Sequence, residues 1–103
     1  MKQKILIVDD DVNICELLRL YLEKEGYETA MAHDGENALA VFEEGGFDLV
    51  LLDVMLPDID GFEVCRRIRA TNKQMGIIML TARTQEMDKI TGLMTGADDY
   101  VTK

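Results

Sequence analysis

Short apolar runs of strand length recur along this chain, and helical periodicity fills the stretches between them. KILIV (Lys4–Val8), YETAMA (Tyr27–Ala32), FDLVLLD (Phe47–Asp53), GIIMLT (Gly76–Thr81) and DDYVTK (Asp98–Lys103) read as strands. After the first, Ile14, Leu17, Leu18, Tyr21 and Leu22 recur on one helical face, and Gly26 supplies the stop. ENALAVFEEGG is a shorter helix with Asp34 as its N-cap and Gly45-Gly46 as its exit. Gly61–Ala70 is helical, with Phe62, Cys65 and Ile68 facing inward and Asp60 and Glu63 at capping-box spacing. A weaker helix is expected over Thr84–Thr95, where Met87, Ile90 and Met94 form a thin stripe and Gly92 lowers stability.

Such alternation leaves few architectures. The strong strands are apolar on both faces, which requires helices on both sides of a parallel sheet. Right-handed crossovers make the arrangement doubly wound. In the common order 2-1-3-4-5, strands one and three are neighbours and the topology reverses between them, and ligands bind at the carboxyl ends of the strands at that reversal. The expected fold is therefore an α/β domain with a doubly wound five-stranded parallel sheet over residues 1–103.

Composition narrows the partners. A net charge of −9 argues against direct nucleic-acid binding and against an anionic membrane surface. No apolar stretch approaches the roughly 20 residues that span a bilayer, and the run after the basic start is too short for a secretory leader. Cys15 and Cys65 match neither a metal motif nor a disulfide framework; as reduced core thiols they point to a cytoplasmic chain. His33 reads as a surface loop residue without an evident partner, and the seven methionines as core filler.

The strand ends are where the chain departs from packing needs. Strand one runs into Asp9-Asp10-Asp11, strand three ends in Asp53, strand four in Thr81 and strand five near Lys103. Aspartates after strands often only cap the next helix, which accounts for Asp11, and turn and cap chemistry suffices for Asp58 and Asp60. The coincidence of Asp9, Asp10, Asp53, Thr81 and Lys103 at one sheet edge is harder to explain that way. Carboxylates about 4 Å apart repel by roughly 1 kcal/mol in water and about 4 kcal/mol at an effective dielectric of 20, so the group needs a cation. Oxygen donors without His or thiolate select Mg²⁺ or Mn²⁺. A carboxylate beside such an ion, an ammonium and a hydroxyl is a credible nucleophile toward phosphorus.

The segments ILIVDDD (5–11), LVLLDVMLPDIDGFE (49–63), MLTA (79–82) and GADDYVTK (96–103) together resemble the receiver domain of two-component response regulators, in order and spacing along the whole chain. The resemblance implies a flavodoxin-like fold and a signalling phosphoacceptor rather than an enzyme, one that assists its own phosphorylation and dephosphorylation. It makes Asp53 the phosphoacceptor, Asp10 a direct Mg²⁺ ligand, Asp9 a carboxylate holding the ion largely through water, and Met55 a backbone-carbonyl ligand. Lys103 would pair with the phosphoryl group, Thr81 would hydrogen-bond it in the active state, and Tyr100 would be the switch aromatic. The implied partner is a sensor histidine kinase, and the last two segments are most similar to receivers of winged-helix DNA-binding regulators of transcription.

Family members continue past the lysine into a fifth helix. The expectation for this chain is a receiver lacking that helix and any output domain, with Ile78, Leu80 or Val101 left open to solvent and association, as a homodimer for instance, through that face. Three rival classes share parts of the pattern. A flavin mononucleotide carrier needs a Ser/Thr/Gly-rich loop after strand one, where this chain has DDDVN; a phosphohydrolase with an Asp nucleophile usually has a second Asp two residues on, where Met55 stands. A phosphate-independent module of the same fold would lack one of the key residues, and none is lost here.

Overall fold

The computed structural model describes residues 3–81 and 99–102. Its elements are β1 (Lys4–Val8), α1 (Val12–Lys24), β2 (Glu28–Ala32), α2 (Gly35–Glu43), β3 (Leu49–Asp53), α3 (Gly61–Thr71), β4 (Gly76–Thr81) and β5 (Asp99–Thr102). All strands are parallel, in the expected order β2-β1-β3-β4-β5. The helix expected at Thr84–Thr95 lies outside the described residues, as does Lys103.

Strand alternation divides the core. Leu6 and Val8, Val50 and Leu52, and Ile77 and Met79 face α2 and α3, where Ala38, Val64, Cys65 and Ile68 complete a cluster closed to solvent. Truncating Leu52, fully buried there, to Ala would cost about 2–5 kcal/mol. Ile5 and Ile7, Leu51, and Ile78 and Leu80 face the other way, toward Cys15, Leu18 and Leu22 of α1. Val64 joins the inward set of α3, while Phe62 is only half-buried.

The second face corrects two expectations. Leu17 and Tyr21 do not point inward: they are 68% and 63% exposed, and Leu20 is exposed beside them. The apolar stripe of α1 is wider than the surface it covers, and the helix seats Cys15, Leu18 and Leu22 instead. Leu80 is not open to solvent but buried, and Ile78 is half-buried; the side chain of Val101 is outside the described set. The exposed aliphatic and aromatic surface thus sits on α1 rather than on β4.

At the amino ends of the strands the chain is closed by hydrogen bonds between β1 and the approach to β3. Asp48 N–H donates to the Lys4 carbonyl at 2.8 Å, and Lys4 N–H donates to Asp48 Oδ2 at 2.8 Å. Phe47 stacks on Phe42 with ring centroids 6.3 Å apart, and the Lys4 ammonium lies 4.7 Å from the Phe47 ring centre.

Candidate functional site

A parallel sheet sends every strand's carboxyl end toward the start of the next helix, so one edge gathers strand ends and helix N-termini together. Val8 of β1 pairs with Leu52 of β3, which puts Asp9 level with Asp53 across the reversal point. Asp9 is fully buried, Asp53 is 3% exposed and Asp10 is exposed. Carboxylate oxygens from all three lie within 4.8 Å of one another. An octahedral Mg²⁺ with oxygens at about 2.1 Å has opposite ligands about 4.2 Å apart, so the spacing and the all-oxygen donor set fit that ion.

Local bonds aim these carboxylates. Asp9 Oδ1 accepts from Asp11 N–H at 2.9 Å, and Asp53 Oδ1 accepts from Met55 N–H at 3.2 Å. The other aspartates of this edge are employed differently. Asp11 caps α1 by accepting from Asn13 and Ile14 N–H, Asp34 caps α2 through Asn37 N–H, and Asp60 caps α3 through Glu63 N–H. Capping therefore separates the acidic residues into two groups, as expected for Asp11, Asp34 and Asp60.

Two features of the site are not visible in the sequence. His33 is not a partnerless loop residue: its Nδ1 stands 3.0 Å from the Asp9 carbonyl oxygen, and the Cys15 thiol reaches the same oxygen at 3.3 Å. A carbonyl only accepts, so this contact is a hydrogen bond in the tautomer that carries the proton on Nδ1; the Cys15 thiol also lies 3.6 Å from that nitrogen. Burial, then the neighbouring Asp9 charge, pushes the Cys15 thiol up to about 11, which leaves it an inert hydrogen-bond donor. The available signal was positional: His33 follows β2 directly, and β2 flanks β1. Gly61 is the second feature. A Cβ there would stand 2.1 Å from the Asp53 carbonyl oxygen, so only glycine lets α3 start against the end of β3.

Thr81 ends β4, and the register Asp53↔Leu80 places it one residue further out than Asp53. Tyr100 of β5 pairs with Met79 of β4. For both residues the description is of backbone alone. Met55 is exposed at the mouth of the site, directly after Val54, whose N–H donates to the Leu80 carbonyl at 3.0 Å.

Comparison with known proteins identifies the family and agrees with the fold. The family model described as "Response regulator receiver domain" matches residues 5–103. An uncharacterized transcriptional regulatory protein of Bacillus subtilis (strain 168), YkoG, is 53% identical over 102 residues, covering 99% of this chain and 45% of the relative. The alkaline phosphatase synthesis transcriptional regulatory protein PhoP of the same organism is 50% identical over 103 residues, covering 100% of this chain and 43% of its own. The chain thus spans less than half the length of either relative. The crystal structure of the response regulator protein TrrA from Thermotoga maritima, in complex with Mg²⁺-BeF, superposes with a TM-score of 0.91 at 44% identity, covering 98% of this chain and 86% of that one.

Proposed function

The chain belongs to the response regulator receiver domain family, and we propose accordingly that Asp53 takes up a phosphoryl group from the phosphohistidine of a sensor histidine kinase. The observation that carries this reading is the convergence of Asp9, Asp10 and Asp53 within 4.8 Å, with Asp53 almost fully buried at the end of β3. An Asp53 carboxylate oxygen attacks phosphorus, the O–P bond forms as the P–N bond of phosphohistidine breaks, and the histidine leaves with the electron pair. Bound Mg²⁺ supplies charge neutralisation for the transferring oxygens. Asp10 would hold that ion directly, Asp9 largely through water, and Met55 through its backbone carbonyl; Mn²⁺ suits the same oxygen donors.

Three further residues respond to the transferred group. Thr81 hydrogen-bonds the new phosphoryl group and Lys103 pairs with its charge. Tyr100 turns inward in response and changes the surface around β5 and the fourth helix expected at Thr84–Thr95. In a longer chain that change would control an output, transcription by analogy with the named relatives. The reduced, buried Cys15 and Cys65 support a cytoplasmic setting. Among the described residues no helix is long and apolar enough to cross a membrane.

Intact-mass measurement after incubation with a small-molecule phosphodonor and Mg²⁺ tests the core of this reading. One phosphoryl group per chain is expected, and none without a divalent ion. Mass addition that persists in Asp53→Asn would refute the assignment.

A further inference from the structure

The loop between β3 and α3, residues 54–60, carries Met55 past the acidic site. Its two ends are fixed close to Asp53: Val54 N–H donates to the Leu80 carbonyl at 3.0 Å, Met55 N–H to Asp53 Oδ1 at 3.2 Å, and Gly61 N–H to the Val54 carbonyl at 2.8 Å. Its middle is fixed by a different element. Asp58 Oδ1 accepts from Gly35 N–H at 2.7 Å, and Asp58 Oδ2 accepts from Glu36 N–H at 2.9 Å. Both donors belong to the first turn of α2. The partner residues stand 23 and 22 positions away in sequence.

Ordinary capping explains half of this contact. The first amides of a helix need acceptors, and the side chain of Asp34, the cap from α2's own flank, accepts from Asn37 N–H at 2.7 Å through Oδ1 and from the Asn37 side-chain amide at 2.9 Å through Oδ2, not from Gly35 or Glu36 N–H. Capping alone does not require the acceptor to come from the metal-side loop, nor does it explain position 35. A Cβ on Gly35 would stand 3.0 Å from Ile59 Cβ, 3.1 Å from Val64 Cγ2 and 3.2 Å from Asp58 Oδ1. Glycine therefore lets the loop close onto the helix while Asp58 holds it there. Amide donation from Glu36 and then Gly35 keeps the Asp58 carboxyl below the usual carboxylate range, so the bonds are charge-assisted at neutral pH.

We propose that Asp58 and Gly35 form a clasp that positions the 54–60 loop for divalent-cation binding, with Asp58 a positioning residue that itself touches neither ion nor phosphoryl group. The clasp rests on the Mg²⁺ reading of the acidic site. A loop released from α2 samples orientations in which the Met55 backbone no longer stays against Asp53, and cation affinity falls while the carboxylates stay in place.

Calorimetric titration of Mg²⁺ into the wild-type chain and its Asp58→Ala, Gly35→Ala and Asp34→Ala variants tests this. Asp58→Ala should weaken Mg²⁺ about tenfold, the scale of losing an outer-shell support. Its phosphodonor labelling should return to the wild-type extent once Mg²⁺ is saturating. Gly35→Ala should weaken Mg²⁺ in the same direction by wedging the loop away. Asp34→Ala removes a cap from the same helix without touching the loop, so it should lower the melting temperature and leave Mg²⁺ affinity unchanged. If Asp58→Ala does not fold, Asp58→Asn, which keeps the shape and one oxygen acceptor, should show a smaller loss of affinity. Wild-type affinity in a folded Asp58 variant overturns the clasp, as does an equal loss in Asp34→Ala, which would mark helix destabilisation as the cause. A wild-type chain indifferent to Mg²⁺ overturns both the clasp and the metal reading beneath it.

Discussion

The two ends of the sheet solve the same problem, reversing the chain, by opposite means. At the carboxyl ends, aspartates do it. Asp11, Asp34, Asp58 and Asp60 accept backbone N–H groups where helices begin, and each such bond places a negative charge near a helix N-terminus that favours it. At the amino ends, Gly26, Gly45 and Gly46 turn the chain with φ between 86° and 96°, and a Cβ added at any of them would meet nothing within 4 Å. One end tolerates no added atom at Gly61; the other is open at its glycine turns. The contrast shows how to recognise the site. Where capping already attracts aspartates, an acidic edge is no signal by itself. Asp9, Asp10 and Asp53 stand apart because none of them caps a helix, and two of them are buried.

Matched substitutions at the two ends can undo this contrast. The largest effect belongs to Asp53→Asn, which should abolish phosphodonor labelling, whereas Asp48→Asn at the amino end should leave it intact. Equal labelling of the two variants would erase the functional asymmetry. Next, Gly61→Ala forces a methyl against the Asp53 carbonyl and should cost about 3 kcal/mol, the upper range for overpacking. Gly45→Ala should cost about 1–2 kcal/mol through its left-handed backbone alone, and denaturant melts of both will rank them. Mg²⁺ at a hundredfold excess over its Kd should stabilise the wild-type chain by about 2.7 kcal/mol. Asp10→Asn should remove most of that response and, by relieving repulsion, raise the melting temperature of the metal-free protein. The smallest effect concerns the faces rather than the ends: Leu17→Gln on exposed α1 surface should change stability by no more than about 0.5 kcal/mol. A loss several times larger would restore Leu17 to the interior.

The sheet was legible because its strands carry their own boundaries. KILIV and GIIMLT are contiguous aliphatic runs and coincide with β1 and β4 at both ends, while Tyr27 and Phe47-Asp48 lie before β2 and β3 rather than within them. Aspartates at strand ends were legible for the same reason, since strand order then fixes which tips meet. The inward face of α1 was not. Ile14, Leu17 and Tyr21 share helical spacing as good as that of Cys15, Leu18 and Leu22, and local periodicity cannot say which side of a broad stripe meets the sheet. Asp58 was readable as a cap but not as a cap for α2, and His33 not as a neighbour of the Asp9 carbonyl. Both partnerships join residues more than 20 positions apart, and neither leaves a mark on its own neighbourhood in the sequence.

Gly45 and Gly46 have one more consequence, for instrumentation of the molecule. Six residues, Phe47 to Leu52, roughly 20 Å of chain at strand rise, separate Gly46 from Asp53 of the acidic cluster. Both glycines have φ near 86° and open space around them, the conditions under which inserted chain is tolerated. A fluorophore tethered there would report on tumbling and association while leaving the chemistry at the other end untouched. The loop between Val54 and Asp60, which lies closer to the phosphorylation chemistry, would accept no such passenger, because its ends and its middle are each bonded to a different part of the fold.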